Sequence, residues 1–350
     1  METNEKKILV ALSGGVDSAV TALKLKEEGY LCTGATLKLL EDDSKTVAGG
    51  RQVAEDLSIP FVEVDGTAEF REKVIEDFRK KYEQGMTPSP CIQCNRYIKF
   101  SILLEKAREM GIPFMATGHY ARIEYSEKFG RYLLKRAEDP MKDQSYMLYL
   151  LTQDQLSHSV FPLGDMTKTE VRETAERFGL SSAGKKDSQD ICFVRDGDYV
   201  SFLENLRGKE YIPGDFVDSE GNILGKHRGI VNYTKGQRKG LGLSFPEPRY
   251  VVDIDPILNN VVLGKHEELF SKEVTATDIN LIAYETIEEP LRITAKTRYS
   301  RRESPGTLFQ EGPDRIKVVF DNPERAVTPG QSLVIYKGDI VVGGGTIIHG

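Results

Sequence analysis

The sequence predicts an α/β N-terminal domain with a parallel sheet, followed by a small central β-rich domain and a C-terminal β-barrel. Two observations carry this prediction. Over the first 200 residues, short apolar runs alternate with stretches of helical periodicity, the pattern of a parallel sheet covered by helices. Further on, short runs rich in Val, Ile, Tyr and Thr are separated by Gly, Pro, Asn and Asp. We therefore expect domains at residues 1–200, 201–267 and 268–350.

Length and composition agree with a globular protein of this size. The chain has 350 residues, of which 39% are hydrophobic and 29% charged, and its net charge is −7. Such a length allows two or three domains, and the composition excludes collagen-like and wholly disordered chains. No run of about 18 apolar residues occurs, and the first residues lack the features of a signal or transit peptide. We expect a cytoplasmic protein with no membrane partner.

The first half of the predicted sheet follows from alternating apolar patterns. Residues 7–12 form a strand candidate, a tight loop follows at 13–18, and apolar residues with helical spacing extend to Gly29. An apolar segment at 31–39, a helix ending near Leu57, a strand at 61–64 and a helix over 67–82 continue the alternation. This alternation is the pattern of a parallel sheet covered by helices on both faces.

The rest of the first domain is predicted from turns and caps. The turn-rich residues 87–95 precede a helical pattern that runs to Met110, and residues 114–117 are the next strand candidate. Thr167 and Glu170 have the spacing of a capping box, which predicts a helix ending near Phe178.

The later part of the chain is predicted to be all-β. Five segments have the length and composition of strands, at residues 249–254, 261–263, 292–297, 316–320 and 332–336. A small barrel is the usual solution for such a tail, because closure leaves no unpaired strand edge.

Residues 13–18, with the sequence SGGVDS, are the first candidate site. Glycines between a strand and a helix let the backbone approach a ligand, and the helix N-terminus adds partial positive charge, a combination that binds phosphate. The alternative is an ordinary strand-to-helix turn. The segment lacks the lysine of kinase-type P-loops and the GxGxxG spacing of dinucleotide-binding folds.

The four cysteines are too few for a disulfide scaffold and are candidates for ligands or nucleophiles. Cys91 and Cys94 form a CxxC motif where a turn leads into a predicted helix, whose N-terminus would lower a thiol pKa and make Cys94 a candidate nucleophile. Cys192, far along the chain, could join them for persulfide or disulfide chemistry. A structural zinc half-site and buried thiols are the alternatives for the CxxC pair. Cys32, on a predicted strand, is expected in the core.

Positive charge is concentrated in two segments of the later domains. Residues 226–249 carry six Lys or Arg against one acid, and residues 292–302 carry five against none. Such clusters suit the phosphates of a nucleic acid, although the first of them also fits a solvated protein face.

Seven motifs occur in a fixed order along the chain. They are SGGVDS (13–18), TPSPCIQCNRYIKF (87–100), ATGHYARI (116–123), KDQSYMLYLL (142–151), DSQDICF (187–193), GQRKGLG (236–242) and TPGQ (328–331). The first resembles the PP-loop of ATP pyrophosphatases, and the whole set resembles the tRNA-specific 2-thiouridylase family from end to end. The resemblance implies an adenine nucleotide alpha-hydrolase-like PP-loop fold and an enzyme that converts the wobble uridine of tRNA to 2-thiouridine.

The resemblance also implies cofactors and partners. ATP would adenylate the C2 oxygen of the uracil with release of pyrophosphate, sulfur would then attack C2, and AMP would leave. Asp17 would help to handle Mg²⁺-pyrophosphate. The tRNA would bind through its anticodon stem-loop, and a cysteine desulfurase or a sulfur relay protein would supply a persulfide.

The family's site residues can be carried over position by position. Cys94 matches the nucleophile and Cys192 the cysteine that receives the persulfide. The ATP site would comprise Ala11, Leu12, Ser13, Gly14, Gly15, Val16, Asp17, Ser18, Leu37 and Gly118. The flipped target base would face Ser89, Pro90 and Cys91. The tRNA contacts would be His119, Lys142, Asp143, Gln144, Arg298, Tyr299 and Gln331.

One position departs from the family pattern. Many members carry Asp where this chain has Cys91, so that three thiols, Cys91, Cys94 and Cys192, are available here. They could hold three irons of a [4Fe-4S] cluster, as in related tRNA-thiolating enzymes of the wider PP-loop group. Redox thiols that close a Cys94–Cys192 disulfide are the first interpretation, and the cluster is the alternative.

Two other classes of function fit parts of the sequence. A PP-loop enzyme that activates a small molecule, as in argininosuccinate or GMP synthesis, would use the β tail only for oligomerisation and would not need the thiols. A non-catalytic tRNA-binding protein would keep the nucleotide fold without releasing AMP and pyrophosphate.

Overall fold

The computed structural model describes residues 6–185, 191–194 and 197–350. Its helices are α1 (Val16–Glu27), α2 (Ser44–Asp56), α3 (Thr67–Phe70), α4 (Glu76–Glu83), α5 (Pro90–Cys94), α6 (Phe100–Glu109), α7 (Gln153–Ser157), α8 (Lys168–Arg177) and α9 (Tyr199–Arg207). Its strands are β1 (Lys7–Ala11), β2 (Leu31–Lys38), β3 (Phe61–Asp65), β4 (Phe114–Ala116), β5 (Arg122–Ser126), β6 (Arg131–Lys135), β7 (Ser159–Val160), β8 (Gly214–Val217), β9 (Ile223–His227), β10 (Tyr250–Asp255), β11 (Asn260–Gly264), β12 (Phe270–Leu281), β13 (Leu291–Lys296), β14 (Ser304–Gly312), β15 (Arg315–Arg325), β16 (Ser332–Lys337) and β17 (Ile340–His349).

The first sheet has five parallel strands in the order β3-β2-β1-β4-β7. Ile8 and Val10 of β1 belong to the apolar core that includes α1, α2 and α8, whereas Leu9 belongs to the core that includes α6. Burial on both faces explains why these strands read as continuous apolar runs. The chain moves outward from β1 in both directions, so β1 and β4 flank the topological switch point, where ligands bind in such sheets.

The helix predicted from Thr167 and Glu170 is confirmed as α8. The Thr167 Oγ1 accepts from the Glu170 N–H at 3.3 Å, and the Glu170 carboxylate accepts from the Thr167 N–H at 2.7 Å. These two bonds satisfy backbone donors that the first helical turn leaves unpaired.

The later domains confirm the expected β architecture. The central sheet has the order β10-β11-β8-β9, and the C-terminal strands β12-β15-β14-β13-β16-β17 form a barrel that the pairing of β12 with β17 closes. The hairpin β5–β6 of the first domain extends the barrel sheet, with Lys135 paired to Ile340. The sequence analysis did not indicate this hairpin, and its pairing with the barrel joins positions that lie far apart along the chain.

Two local expectations were wrong. Residues 199–207 form α9, although the chain was expected to be all-β beyond about residue 200. The Asp198 carboxylate accepts a hydrogen bond from the Ser201 N–H at 3.0 Å and caps the start of α9. Gly208, with φ 69°, ends the helix. The CxxC motif was placed in a turn before a helix, but it lies within α5. Pro90 occupies the start of that helix, where its missing N–H and fixed φ cost nothing.

No helix in the described part of the chain combines the length and the apolar character needed to cross a bilayer.

Candidate functional site

The loop between β1 and α1, residues 12–15, lies at the switch point of the sheet, and we call it the phosphate loop. Gly14 has φ +73°, and a Cβ on Gly14 would lie 2.7 Å from the Gly49 backbone in α2. The Ser18 hydroxyl accepts from the Ser13 N–H at 3.2 Å and donates to the Gly15 carbonyl at 3.0 Å. The loop conformation therefore depends on the positive φ and close packing that glycine allows at position 14, and on the hydrogen bonds of the Ser18 hydroxyl.

Residues 117–119, which follow β4, lie on the other side of the switch point. Gly118 follows this strand, and a Cβ there would lie 2.9 Å from the Asp17 carbonyl carbon. Only glycine lets residues 117–119 lie against the first turn of α1. The structure thus places Gly118 against the first turn of α1, which directly follows the phosphate loop.

Asp17 is held by two residues that the sequence analysis missed. Its Oδ1 accepts from the Tyr120 hydroxyl at 2.8 Å and from the Lys168 Nζ at 2.7 Å. Lys168 lies in the first turn of α8, where the helix dipole disfavours a cation. A lysine at the predicted start of a helix is therefore a sequence signal that could have indicated an acidic partner in another part of the chain. One oxygen of the predicted magnesium-handling carboxylate is therefore engaged by a cation in this structure.

The remaining residues of the predicted ATP site lie around the phosphate loop. Leu12 and Val16 are buried, Ala11 is half-buried at the end of β1, and Leu37 is half-buried near the end of the neighbouring β2. The Thr36 hydroxyl donates to the Leu12 carbonyl at 2.6 Å, which fixes the start of the loop against β2.

The described cysteines are all free, and their surroundings differ. Cys32 and Cys94 are buried, whereas Cys91 and Cys192 are exposed. Cys32 lies in the core of the first sheet, as expected. Burial raises the pKa of the Cys94 thiol, so the lowered thiol pKa that we expected at the helix start is not found. The reason is that Cys94 packs into an apolar cluster with Ile98 and Phe193, where a thiolate is poorly solvated.

The Cys94 and Cys192 thiols lie in one region. Although part of the Cys192 side chain is exposed, the surrounding protein desolvates its thiol; this desolvation, followed by the neighbouring Cys94 and Cys91 thiols, raises the pKa of Cys192 to about 12. Residues 187–190, which precede Cys192 in the DSQDICF motif, lie outside the described residues. The structure therefore brings together all three cysteines that the sequence singled out.

The described side chains form no site for a single shared metal ion. Within residues 6–185, 191–194 and 197–350, no three His, Cys, Asp or Glu side chains are close enough together to share a metal ion. A [4Fe-4S] cluster would bind each thiol to a different iron, and the free thiols of Cys91, Cys94 and Cys192 lie in one region, so the cluster stays the alternative interpretation.

Lys99 connects the thiols with the segment that follows β4. Burial lowers the pKa of His119 most, and the positive charge of Lys99 lowers it further. The same charge also opposes the rise in the pKa of the Cys94 and Cys192 thiols. His119 binds the Thr117 hydroxyl through Nδ1 at 2.7 Å, and its ring centroid lies 5.6 Å from that of Phe100. Burial lowers the pKa of His119 well below its ordinary value, so its ring is neutral at pH 7.

The predicted base-facing residues lie on a segment that the barrel holds. Ser89 is half-buried, Pro90 is buried and Cys91 is exposed at the start of α5. The Gln331 side chain donates to the Thr87 carbonyl at 2.9 Å, and the Thr87 N–H donates to the Pro329 carbonyl at 2.9 Å. The TPGQ turn of the barrel thus fixes the backbone just before the CxxC helix.

Several predicted tRNA contacts form internal bonds. The Asp143 carboxylate accepts from the N–H groups of Ala137 and Ser145, each at 3.1 Å. The Gln144 side chain accepts from the Tyr120 N–H at 3.0 Å, and the exposed Tyr299 donates its hydroxyl to the Asp143 carbonyl at 3.3 Å. Lys142 is half-buried beside them. These bonds connect residues 142–144 to the ATGHYARI segment and to the barrel.

Arg298 joins the central domain to the barrel. Its Nη2 donates to the Lys235 carbonyl at 3.1 Å, to the Ala326 carbonyl at 2.9 Å and to the Thr328 hydroxyl. Burial, followed by the charges of Arg301 and Arg325, lowers the pKa of its guanidinium group. The structure thus gives Arg298 a clear role in holding two domains together.

We expect Arg298→Gln to lower the midpoint of thermal unfolding, because its three acceptors lose a charged donor, a loss of about 1–3 kcal/mol. The exposed Arg302 serves as the matched control from the same basic segment. Arg302→Gln should leave the free energy of unfolding within about 0.5 kcal/mol of the parent value and make tRNA affinity less dependent on salt. Equal stability of the two variants would contradict the bonding role of Arg298.

The raised pKa of Cys192 predicts how its reactivity depends on pH. Because only the thiolate is alkylated, the rate of iodoacetamide modification should rise roughly tenfold per pH unit between about pH 7 and about pH 10. Peptide mass spectrometry of the Cys192 peptide measures this rate directly. A plateau near pH 9 would show instead an ordinary thiol pKa.

Comparison with known proteins agrees with this arrangement of segments. Residues 6–196 match the family model described as the tRNA methyl transferase HUP domain, residues 200–265 match the tRNA methyl transferase PRC-barrel domain, and residues 271–347 match the aminomethyltransferase beta-barrel domain.

Curated relatives match over almost the whole length. The tRNA-specific 2-thiouridylase MnmA of Clostridioides difficile is 50% identical over 353 residues, which cover 98% of each chain. That of Acetivibrio thermocellus is 50% identical over 357 residues, covering 98% of this chain and 99% of the relative. The tRNA-specific 2-thiouridylase MnmA 1 of Caldanaerobacter subterraneus subsp. tengcongensis is 49% identical over 360 residues, covering 99% of each. This protein therefore belongs to the tRNA-specific 2-thiouridylase family.

Proposed function

We propose that this protein uses ATP to replace the C2 oxygen of the wobble uridine in tRNA by sulfur. The observation that carries the proposal is the convergence of a phosphate loop and two chemically distinct thiols. Gly118 lies against Asp17 of α1, His119 is the next residue, and the charge of Lys99 acts on His119, Cys94 and Cys192. Nucleotide activation and sulfur transfer would thus take place within one continuous site.

ATP would bind with its phosphates on the phosphate loop. The N-terminal end of α1 supplies backbone N–H donors and partial positive charge, and Leu37 on the neighbouring strand suits an adenine ring. Mg²⁺ prefers few protein carboxylates and takes its other ligands from phosphates and water. The Asp17 Oδ2, for which the described residues supply no hydrogen bond, fits this need, and a bound Mg²⁺ would neutralise charge on the departing pyrophosphate.

Adenylation solves a chemical problem of the substrate. A carbonyl oxygen of uracil is a very poor leaving group until it is esterified. The C2 oxygen attacks the α-phosphorus of ATP, pyrophosphate leaves, and the C2–O–AMP ester then presents AMP as a good leaving group. Such an attack requires the base outside the anticodon stack, which is general for enzymes that act on bases. Ser89, Pro90 and Cys91 would face the flipped base.

Cys192 and Cys94 would have different roles in the transfer of sulfur. Cys192, which is exposed, would carry the persulfide that a donor protein delivers, either a cysteine desulfurase or a sulfur relay protein. The terminal sulfur attacks C2 and AMP leaves with the original oxygen. The Cys94 thiolate then attacks the Cys192 sulfur, a Cys94–Cys192 disulfide forms, and 2-thiouridine is released. A dithiol reductant restores both thiols with two electrons per turnover.

The tRNA would lie across the later domains, with its anticodon loop at the thiols. The basic segment 292–302, together with His119, Lys142 and Tyr299, would contact the backbone and loop. Gln331 would contact tRNA while it holds the base-facing segment, and Arg298, Asp143 and Gln144 would contribute by shaping this surface. Such a reaction belongs in the cytoplasm, where tRNA, ATP and reductant are all present.

Nucleoside mass spectrometry tests the proposal. Unmodified tRNA is incubated without oxygen with the protein, ATP-Mg²⁺, a persulfide source and a dithiol, and then digested to nucleosides. We expect 2-thiouridine that depends on ATP, together with AMP and pyrophosphate. A methylated nucleoside would instead support the activity in the names of the matching domain models. Tight tRNA binding without AMP release would indicate a non-catalytic binding protein, and AMP release with a small acceptor but not with tRNA would indicate a small-molecule ligase.

A further inference from the structure

The phosphate loop contains no cation in its own sequence, yet the fold brings one to it. Kinase-type P-loops carry a lysine within the motif, which SGGVDS lacks. In this structure the Lys185 Nζ donates to the Gly14 carbonyl at 2.8 Å, across 171 positions of sequence. A lysine from a distant segment thus places its positive charge on the phosphate loop, where it can add to the attraction between the backbone N–H groups and an anion.

The backbone around Lys185 fixes this approach. The Lys185 N–H donates to the Ser182 carbonyl at 3.0 Å, and the Ser181 N–H donates to the Asp56 carboxylate at 3.1 Å, at the end of α2. The Lys185 Nζ lies 3.5 Å from the position that a Cβ on Gly49 would occupy. The amine therefore lies beside the contact between Gly14 and Gly49, and a larger residue at position 49 would crowd it.

The charge of Lys185 is available to an anion. An ammonium group has three N–H donors, of which the Gly14 carbonyl takes one. Lys168, the other lysine near the loop, is paired with Asp17, whereas no carboxylate among the described residues forms an ion pair with Lys185. Beside a helix N-terminus, a cation that no described carboxylate pairs with is repelled by the partial positive charge of the helix, and a bound anion relieves this repulsion.

We propose that Lys185 is a phosphate-binding residue of the nucleotide site, which takes the polyphosphate chain of ATP and then pyrophosphate. The inference rests on the proposed function for the identity of the nucleotide. It adds a residue that acts by binding the leaving group, where charge builds up as the α-phosphorus is attacked. Lys185 thus provides the positive charge that the sequence of the phosphate loop lacks.

Binding measurements separate this role from a structural one. Lys185→Gln removes the charge, and Lys185→Arg keeps it. Lys26→Gln is the matched control, because Lys26 also donates to a backbone carbonyl, that of Leu57 at 2.6 Å, but away from the loop. Isothermal titration calorimetry with ATP, inorganic pyrophosphate and adenosine, at two salt concentrations, is performed without tRNA or a sulfur source.

We expect Lys185→Gln to bind ATP and pyrophosphate roughly ten- to a hundredfold more weakly, the value of a charge-assisted hydrogen bond, and adenosine with unchanged affinity. Lys185→Arg should retain most of the affinity and its salt dependence, and Lys26→Gln all of it. Equal affinity of Lys185→Gln and the parent protein for ATP and pyrophosphate would overturn the inference. Equal weakening of all three ligands would do so as well, since it would indicate a structural defect.

The same titration distinguishes failure of the inference from failure of the proposed function. A parent protein that binds ATP but forms no 2-thiouridine would refute the proposed reaction, while the Lys185→Gln comparison would still decide the role of Lys185. A parent protein that binds neither ATP nor pyrophosphate would overturn both.

Discussion

Cys94→Ser is expected to abolish 2-thiouridine formation, by more than about a thousandfold, while leaving ATP-dependent adenylation of tRNA measurable. In the proposed reaction, adenylation uses the phosphate loop and Asp17, whereas Cys94 packs in a different apolar cluster. In the same scheme, release of the sulfur requires a second thiol that closes the disulfide with Cys192. A serine hydroxyl has nearly the same volume but cannot accept the bond to sulfur.

The measurement combines nucleoside mass spectrometry with pyrophosphate release in a single turnover. Cys192→Ser should lose thiolation to the same extent, because no persulfide can form. Cys32→Ala is the control, since Cys32 is a buried free thiol of the core for which we expect no role in the reaction. Thiolation by Cys94→Ser at the parent rate would refute the two-thiol scheme.

Cys91→Ser decides between the two interpretations of the three thiols. Redox chemistry by Cys94 and Cys192 leaves the exposed Cys91 dispensable, so most activity should remain. Ligation of a [4Fe-4S] cluster would need all three, and Cys91→Ser would then lose activity together with bound iron and sulfide.

The sequence predicted the architecture well where one physical rule dominates. Strands buried on both faces read as apolar runs, so the parallel sheet was readable, and the barrel followed from short strands with frequent turns. The helix α9 was missed although Asp198 and Gly208 are ordinary capping residues, because the change in texture near residue 200 outweighed them. The domain limits at residues 200 and 268 stay a prediction, and the hairpin β5–β6 crosses the first division by pairing with the barrel.

The site was predictable as a set of motifs but not as a set of contacts. Tyr120 and Lys168 reach Asp17 across 103 and 151 positions, and Lys185 reaches Gly14 across 171. No local pattern encodes such pairs, since they depend on how α8 and the following turn pack beside α1. The thiol pKa was misjudged for the same reason: the helix start is local, whereas the burial that raises the pKa of Cys94 comes from the tertiary fold.

Gly118→Ala should impair ATP use by about a hundredfold or more while the protein remains folded. The added Cβ would lie 2.9 Å from the Asp17 carbonyl carbon and 3.1 Å from the Asp17 Cβ and carbonyl oxygen. Backbone cannot rotate away as a side chain can, so either residues 117–119 or the first turn of α1 must shift. Overpacking of this kind costs about 1–3 kcal/mol of stability. A shift of about 1 Å at reacting groups costs about a hundredfold in rate.

Gly184→Ala is the matched control, because a Cβ there would meet no atom within 4 Å. Pyrophosphate release measured at several ATP concentrations, with thermal unfolding in parallel, separates the two effects. The first turn of α1 carries both Asp17 and Ser18, the residue that holds the phosphate loop through Ser13 and Gly15. A displaced turn should therefore raise KM for ATP and lower kcat together. A Gly118→Ala protein with parental kinetics would mean that residues 117–119 do not set the position of the nucleotide, and the switch point between β1 and β4 would then not be the site of adenylation.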